Sequence, residues 1–189
     1  MKKILLLLLL VPLFSMGQDL PIVDDKIVYE KIYDHPGISK DVLFGAAKKF
    51  IGVHFKRGSS VIQSEDINSG LIICKGNIDA YEVIEKKWWG QTLVGGTFHF
   101  TMQFEVKENK ARVKIFDIHT SSTSQYGTTD TPLESIMFKE ARNVNTSKPK
   151  YKAKRMEKFN KTVELLNKTF IGTLDTYESE INEYSNDDW

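Results

Sequence analysis

The chain has 189 residues, of which 41% are hydrophobic and 11% aromatic, a composition typical of a folded protein rather than a disordered one. Its 26 basic and 25 acidic residues leave almost no net charge, which argues against nucleic acid as a partner. Cys74 is the only cysteine, so an intramolecular disulfide is excluded.

Residues 1–17 have the order of a secretory signal peptide. Lys2 and Lys3 form a basic start, residues 4–14 are apolar, and residues 15–17 form a small-residue exit. The apolar run is too short to span a bilayer of about 30 Å as a helix, and no cysteine follows it to carry a lipid. We therefore expect cleavage near Gly17, a periplasmic or secreted protein with no transmembrane segment, and a linker over residues 18–26.

The segments that follow alternate between strand and helix patterns. Residues 27–33 are rich in β-branched and aromatic side chains and predict a strand. Ser39 is placed as a helix N-cap, and the apolar face that follows it predicts a helix to about Val53. Residues 60–65 and 70–75 predict two strands joined by a turn.

Two adjacent tryptophans, Trp88 and Trp89, lie in the connection that leads to Gly95 and Gly96. Adjacent residues of a strand face opposite sides, so we expect one ring to be exposed and available to stack on a sugar or a partner. The alternative is that both rings cover the edge of the core.

Residues 97–106 form the clearest strand pattern, because apolar and polar side chains alternate strictly. Residues 111–120 predict its antiparallel partner. The apolar side chains predicted to face inward are those of Phe98, Phe100, Met102 and Phe104.

Straight pairing of these two strands would place Phe100 opposite the charged Asp117, which is a poor cross-strand pair. One extra residue near Phe116 removes the mismatch, so we predict a β-bulge there. The shifted register places His99 opposite His119 on the polar face. With Asp117, the two imidazoles offer three ligands for a divalent metal; the alternative is a solvated face without function.

The rest of the chain predicts a polar loop over residues 121–151, with a short helix around residues 133–141, and one long amphipathic helix over residues 152–184. That helix would be about 50 Å long, so it must overhang the sheet or bend, with Gly172 as the weak point. Residues 185–189 form a tail.

The first turns of this helix are basic and its end is acidic, which is the opposite of what the helix dipole favours. Its apolar stripe must therefore hold it on the sheet. The basic start predicts a weak, salt-sensitive contact with lipid head groups, acidic glycans or an acidic protein, and the alternative is a solvated charge run. The candidate residues are Lys152, Lys154, Arg155 and Lys158.

The order of strand, helix, four strands and helix predicts an α+β fold, with a mainly antiparallel five-stranded sheet and both helices on one face. The segment Gly70-Leu-Ile-Ile-Cys-Lys-Gly76, with the strands around it, resembles the bacterial domain-of-unknown-function family 4468. The resemblance implies a TBP-like core over residues 27–120 behind a signal peptide. It implies no catalytic residue and no cofactor, because the family has no established activity.

The sequence contains none of the hydrolase, metalloprotease, phosphate-loop or dinucleotide motifs. We therefore expect a non-catalytic envelope protein, without a cofactor, that binds an unidentified protein or ligand. One alternative is a carrier that holds an apolar molecule between the sheet and the long helix. The other is a metal-dependent enzyme that uses the His99 and His119 face. The candidate ligand contacts are Phe98, Phe100, Met102, Phe104, Trp88 and Trp89.

Overall fold

The computed structural model describes residues 19–55, 61–88, 90–125 and 127–186, so the predicted signal peptide lies outside the described residues. The strands are β1 (Ile22–Val23), β2 (Lys26–Ile27), β3 (Tyr29–Asp34), β4 (Ile62–Asp66), β5 (Leu71–Lys87), β6 (Gly90–Lys107), β7 (Lys110–Ser124) and β8 (Gly127–Pro132). The helices are α1 (Lys40–His54), α2 (Leu133–Asn145) and α3 (Pro149–Asn186).

The main sheet is antiparallel and runs in the order β3, β7, β6, β5, β4. Phe50 of α1 and Tyr177 of α3 both contact Phe104 of β6, with ring centroids 6.0 and 5.1 Å apart, so both helices cover the same face. The α+β architecture, with an antiparallel sheet and both predicted helices on one face, is as predicted. The five-strand count is too low, because β8 pairs with the far end of β7. In the predicted linker, β1 and β2 form a separate two-stranded ribbon.

The prediction of a polar loop over residues 121–151 is wrong. β7 continues to Ser124, β8 follows it, and α2 occupies Leu133–Asn145, which extends the short helix predicted there. Apart from the half-buried Thr131, the side chains of β8 are exposed. A strand whose side chains are mostly exposed shows no inward-facing apolar pattern in its sequence.

Helix α1 begins as predicted at Ser39, whose Oγ accepts a hydrogen bond from the backbone N–H of Val42 at 3.4 Å. Asp41 lies in the first turn, where a negative charge suits the helix dipole. The buried face of the helix consists of Leu43, Phe44, Ala46, Ala47, Phe50 and Ile51.

Strands β5 and β6 extend far beyond the predicted segments. Their distal halves, residues 80–87 and 90–96, form a two-stranded ribbon, here called the arm, where the sequence predicts only a connection. The inward-facing Glu82 breaks the apolar alternation of β5, and Lys161 of α3 compensates its charge at 3.3 Å. Because this partner is 79 residues away, the local pattern gives no sign of a strand.

The predicted bulge is present in β7. His99 pairs with His119 and Thr101 with Phe116, so β7 has one residue more than β6 between these pairs. Asp117 is exposed and adopts a left-handed φ of 52°. Among residues other than glycine, those with short polar side chains adopt this conformation most readily. The bulge leaves Ile118 facing the core, 1% exposed.

Helix α3 has 38 residues and is therefore about 57 Å long. It continues without a break through Gly172 and overhangs the sheet along the arm, where Lys154 meets Glu85 at 3.0 Å. Met156, which the sequence places in the apolar stripe, is exposed. The buried part of the stripe consists of Val163, Leu166, Phe170, Leu174, Tyr177 and Ile181. Within the described ranges, no helix combines the length and hydrophobicity needed to cross a membrane.

Candidate functional site

The two histidines predicted to face each other do so. Their ring centroids lie 5.3 Å apart, with the planes inclined by 19°. Nδ1 of His119 lies 3.2 Å from the backbone carbonyl oxygen of Asp117. Asp117 is the extra residue of the bulge, so Thr101 pairs with Phe116 and Asp117 has no partner in the strand pairing between β6 and β7.

The prediction of a metal site at His99, His119 and Asp117 is not supported by this geometry. In the part of the chain that the structure describes, no three His, Cys, Asp or Glu side chains lie close enough together to hold a metal ion. The bulge that aligns the histidines also takes Asp117 out of the strand pairing. The enzyme alternative therefore lacks its third ligand.

The apolar side chains proposed to line a carrier cavity form a filled core. Phe98, Phe100, Met102 and Phe104 are at most 3% exposed. Phe170 of α3 contacts the rings of Phe98 and Phe100, with centroids 6.1 and 5.7 Å apart. Their burial is as predicted, but at this position side chains of α3 occupy the space that a carried molecule would need.

Open space lies instead where two hairpins diverge. Before Phe98, β6 pairs only with β5, and after Thr120, β7 pairs only with β8. The space between the hairpins, bordered by α2 and α3, has a volume of about 400 Å³. We call it the fork cleft.

The fork cleft is apolar inside and polar at its rim. Phe98, Leu133 and Met137 are almost fully buried, and Phe159 is partly buried beside them. The polar lining residues are Thr97, Thr120, Ser121, Glu140, Lys158 and Thr162. A Cβ atom at Gly96 would meet nothing within 4 Å, so this glycine keeps part of the cleft open. The arrangement suits an apolar group with a few polar contacts around it.

The arm ends in an exposed tryptophan. Trp88 is 91% exposed, whereas Trp89 lies outside the described residues. One of the predicted aromatic candidates therefore presents its ring to solvent, far from Phe100 and the filled core.

The four basic candidates at the start of α3 have different surroundings. Lys154 pairs with Glu85 of the arm, and Arg155 donates to the backbone oxygen of Asn143 at 3.4 Å. Lys152 and Lys158 are exposed, and Lys158 lies at the rim of the fork cleft. The basic start of the helix is thus partly integrated into the fold.

Cys74 is buried in β5, between the sheet and the helices. Burial raises the pKa of its thiol to about 12, so the thiol stays protonated at neutral pH. A protonated, inaccessible thiol is a poor nucleophile, so Cys74 contributes to the packing of the core.

Comparison with known proteins agrees with the architecture. Residues 29–121 match the family described as domain of unknown function (DUF4468) with TBP-like fold. A TBP-like protein from Parabacteroides distasonis ATCC 8503 is 14% identical, with a TM-score of 0.55 over 84% of this chain and 96% of that chain. A DUF4468 family protein from Bacteroides ovatus ATCC 8483 is 19% identical, with a TM-score of 0.55 over 86% of this chain and 91% of that chain. No curated protein matches the sequence significantly.

At identities of 14% and 19%, the similarity to these structures establishes the fold of this chain and says nothing about its function. The two structural matches cover more of the chain than the 29–121 segment does. The shared architecture therefore extends beyond the segment that the family model recognises.

Proposed function

Because residues 29–121 belong to the DUF4468 family with its TBP-like fold, we propose that this protein is a non-catalytic binding domain whose fork cleft receives an apolar group of a ligand or partner. The fold name alone does not imply DNA binding, since one fold supports many functions. The near-zero net charge also argues against a nucleic-acid partner.

The fork cleft is the observation that carries the proposal. Binding sites for small ligands and for protruding side chains are typically concave, mainly apolar and edged by a few polar groups. The cleft of about 400 Å³ has this composition: Met137 and Phe159 line it together with the polar residues Thr120 and Ser121. Glu140 and Lys158 add one charge of each sign, which would orient a polar end of the bound group.

The surroundings of the reactive side chains favour binding over catalysis. The Cys74 thiol is buried in the core. His54 lies 3.4 Å from Glu180, an interaction that ties α1 to α3. His99 and His119 stack on each other at the sheet surface, outside the fork cleft.

We place the binding domain in the periplasm or outside the cell as part of the proposal. The support is the basic, apolar and small-residue order of residues 1–17, which is typical of a cleavable secretory signal. N-terminal sequencing of exported protein tests this part, and a chain that still begins at Met1 would contradict it.

Gly96→Leu tests the fork cleft directly, because the new side chain would enter open space. The probe is the apolar dye anilinonaphthalene sulfonate, whose fluorescence rises in apolar sites. We expect the wild type to enhance the fluorescence and Gly96→Leu to lower the enhancement severalfold, because the leucine fills the cleft.

The matched control is Gly52→Leu in α1, where a Cβ atom also meets nothing within 4 Å. This control should bind the dye like the wild type, and unfolding curves should show that both variants are folded. Equal dye binding by the two variants, or no enhancement by the wild type, would contradict the proposed role of the cleft.

A further inference from the structure

The arm and the start of α3 run side by side toward the same end of the molecule. Glu82 and Glu85 of the arm pair with Lys161 and Lys154 of the helix, at 3.3 and 3.0 Å. The three strand residues from 82 to 85 advance about 10 Å, and the seven helix residues from 161 back to 154 also advance about 10 Å. The tip of the arm therefore points the same way as the N-terminus of α3.

This shared end of the molecule is strongly basic. Between residues 148 and 161 the chain has seven lysines and arginines and one glutamate, whereas from 162 to 186 it has five acidic residues and one lysine. At the acidic end, Asp175 and Glu178 both pair with Lys31 at 2.7 Å. At the basic end, Lys148, Lys150 and Lys152 are exposed, and within the described ranges they form no ion pair.

Ion pairing within the described ranges does not explain the position of these lysines, although Lys150 lies over the ring of Tyr151 at 4.6 Å. Positive charge at a helix N-terminus opposes the helix dipole. Only Lys154 and Lys161 of this cluster have carboxylate partners within the described ranges. The remaining positive charge is available to a negatively charged partner.

The same end presents aromatic and apolar side chains. Trp88 at the tip of the arm is 91% exposed, and Tyr151 in the first turn of α3 is 52% exposed. Val83 and Leu93 are cross-strand partners on the arm, each 44% exposed. Tryptophan and tyrosine favour the boundary between water and lipid, where one part of the ring is apolar and the other is hydrated.

From this combination we propose that the end formed by the tip of the arm and the first turns of α3 docks onto an anionic lipid surface. Lys148, Lys150 and Lys152 contact the head groups, and Trp88 enters the interface. An acidic glycan or an acidic protein patch would match the charge but would leave Val83 and Leu93 without apolar contacts. The docking surface is separate from the fork cleft and does not depend on it.

The experiment is co-sedimentation with vesicles of phosphatidylcholine alone and of phosphatidylcholine and phosphatidylglycerol in equal parts. The wild type should bind only the anionic vesicles. Binding should fade with salt, as the Debye length falls from about 10 Å at 0.1 M to about 3 Å at 1 M. Changing Lys148, Lys150 and Lys152 to Gln should weaken binding by about 100-fold, at roughly a factor of five for each cation near the surface.

A matched control changes Lys26, Lys75 and Lys107 to Gln. These lysines are also exposed and lie away from the basic end, and the substitutions alter the net charge by the same amount. The control should bind nearly as well as the wild type. Gly96→Leu should also bind normally, which separates failure of the docking surface from failure of the fork cleft.

Trp88 reports whether the tip enters the lipid interface. In a protein with Trp89 and Trp189 changed to Phe, the emission of Trp88 should shift to the blue on anionic vesicles and be quenched by brominated acyl chains. Equal loss of binding in the two lysine variants would overturn the proposal. So would binding of the wild type to vesicles that contain only phosphatidylcholine. Binding to heparin without a response of Trp88 to vesicles would also overturn it, in favour of an acidic glycan.

Discussion

Among individual residues, Cys74 couples burial in the core to the pH dependence of stability. The side chain is fully buried, and burial raises the pKa of its thiol from 9.0 to about 12. In the unfolded chain the thiol ionises near pH 9, so the unfolded state loses this proton first as the pH rises. The free energy of unfolding should therefore fall above this pH, with a contribution from Cys74 of about 1 kcal/mol between pH 9 and pH 10.

Urea unfolding of the wild type and of Cys74→Ala at both pH values checks this prediction. The variant begins with a lower free energy of unfolding, because it removes a buried group, but it should lose about 1 kcal/mol less over the interval. Burial also raises the pKa values of Tyr29, Tyr33 and Tyr177, and these residues are present in both proteins. Equal pH slopes would mean that the folded thiol ionises as readily as the unfolded one.

At the scale of elements, Gly172 is the residue with the lowest helix propensity in the interior of α3. A Cβ atom there would meet nothing within 4 Å. Gly172→Ala should therefore raise the free energy of unfolding by about 0.5–1 kcal/mol, because alanine loses less backbone entropy on folding. Urea unfolding measures the change.

Gly70→Ala provides the contrasting case. Gly70 has a left-handed φ of 69°, and a Cβ atom would collide with the backbone oxygen of Val106. This variant should be less stable than the wild type, whereas Gly172→Ala should be more stable. A loss of stability in Gly172→Ala would mean that α3 needs flexibility at this position.

The sequence predicts well those elements whose buried side chains recur at a regular spacing along the chain. The alternation in residues 97–106 and the spacing in α3 led to the correct strand and helix, and the mismatch between Phe100 and Asp117 located the bulge. The arm and β8 were missed for two different reasons. Glu82 faces inward because Lys161 neutralises it, and β8 is exposed on most of its surface.

At the scale of the whole molecule, the candidate site was not predictable from the sequence. The fork cleft exists because the two hairpins diverge at the Phe98–Thr120 pair and because α2 borders the gap between them. The segment containing α2 and β8 was expected to be a polar loop with one short helix around residues 133–141, so nothing indicated a cleft there. The arm and the basic end also come together only through ion pairs between residues far apart in the chain, such as Lys154 and Glu85.

The family segment, residues 29–121, contains α1 but not α3, the second helix that covers its core. The buried stripe of α3 includes five large side chains that are each at most 3% exposed, those of Leu166, Phe170, Leu174, Tyr177 and Ile181. Burial of such a side chain contributes about 1.5–3 kcal/mol. Together they contribute roughly 10 kcal/mol, which is comparable to the entire stability of a typical domain, about 5–15 kcal/mol.

A fragment of residues 19–145 should therefore not fold, although it contains the whole family segment and α2. Without α3, Phe98 and Phe100 would lose their contacts with Phe170, and Phe104 would lose its contact with Tyr177, so part of the inner face of β6 would be exposed to water. The comparison is with a fragment of residues 19–186, which keeps α3 and should unfold cooperatively in urea with a near-ultraviolet circular dichroism signal. The shorter fragment should show neither property. A cooperative transition in the shorter fragment would mean that α1 alone stabilises the sheet and that α3 is an addition to a domain already complete.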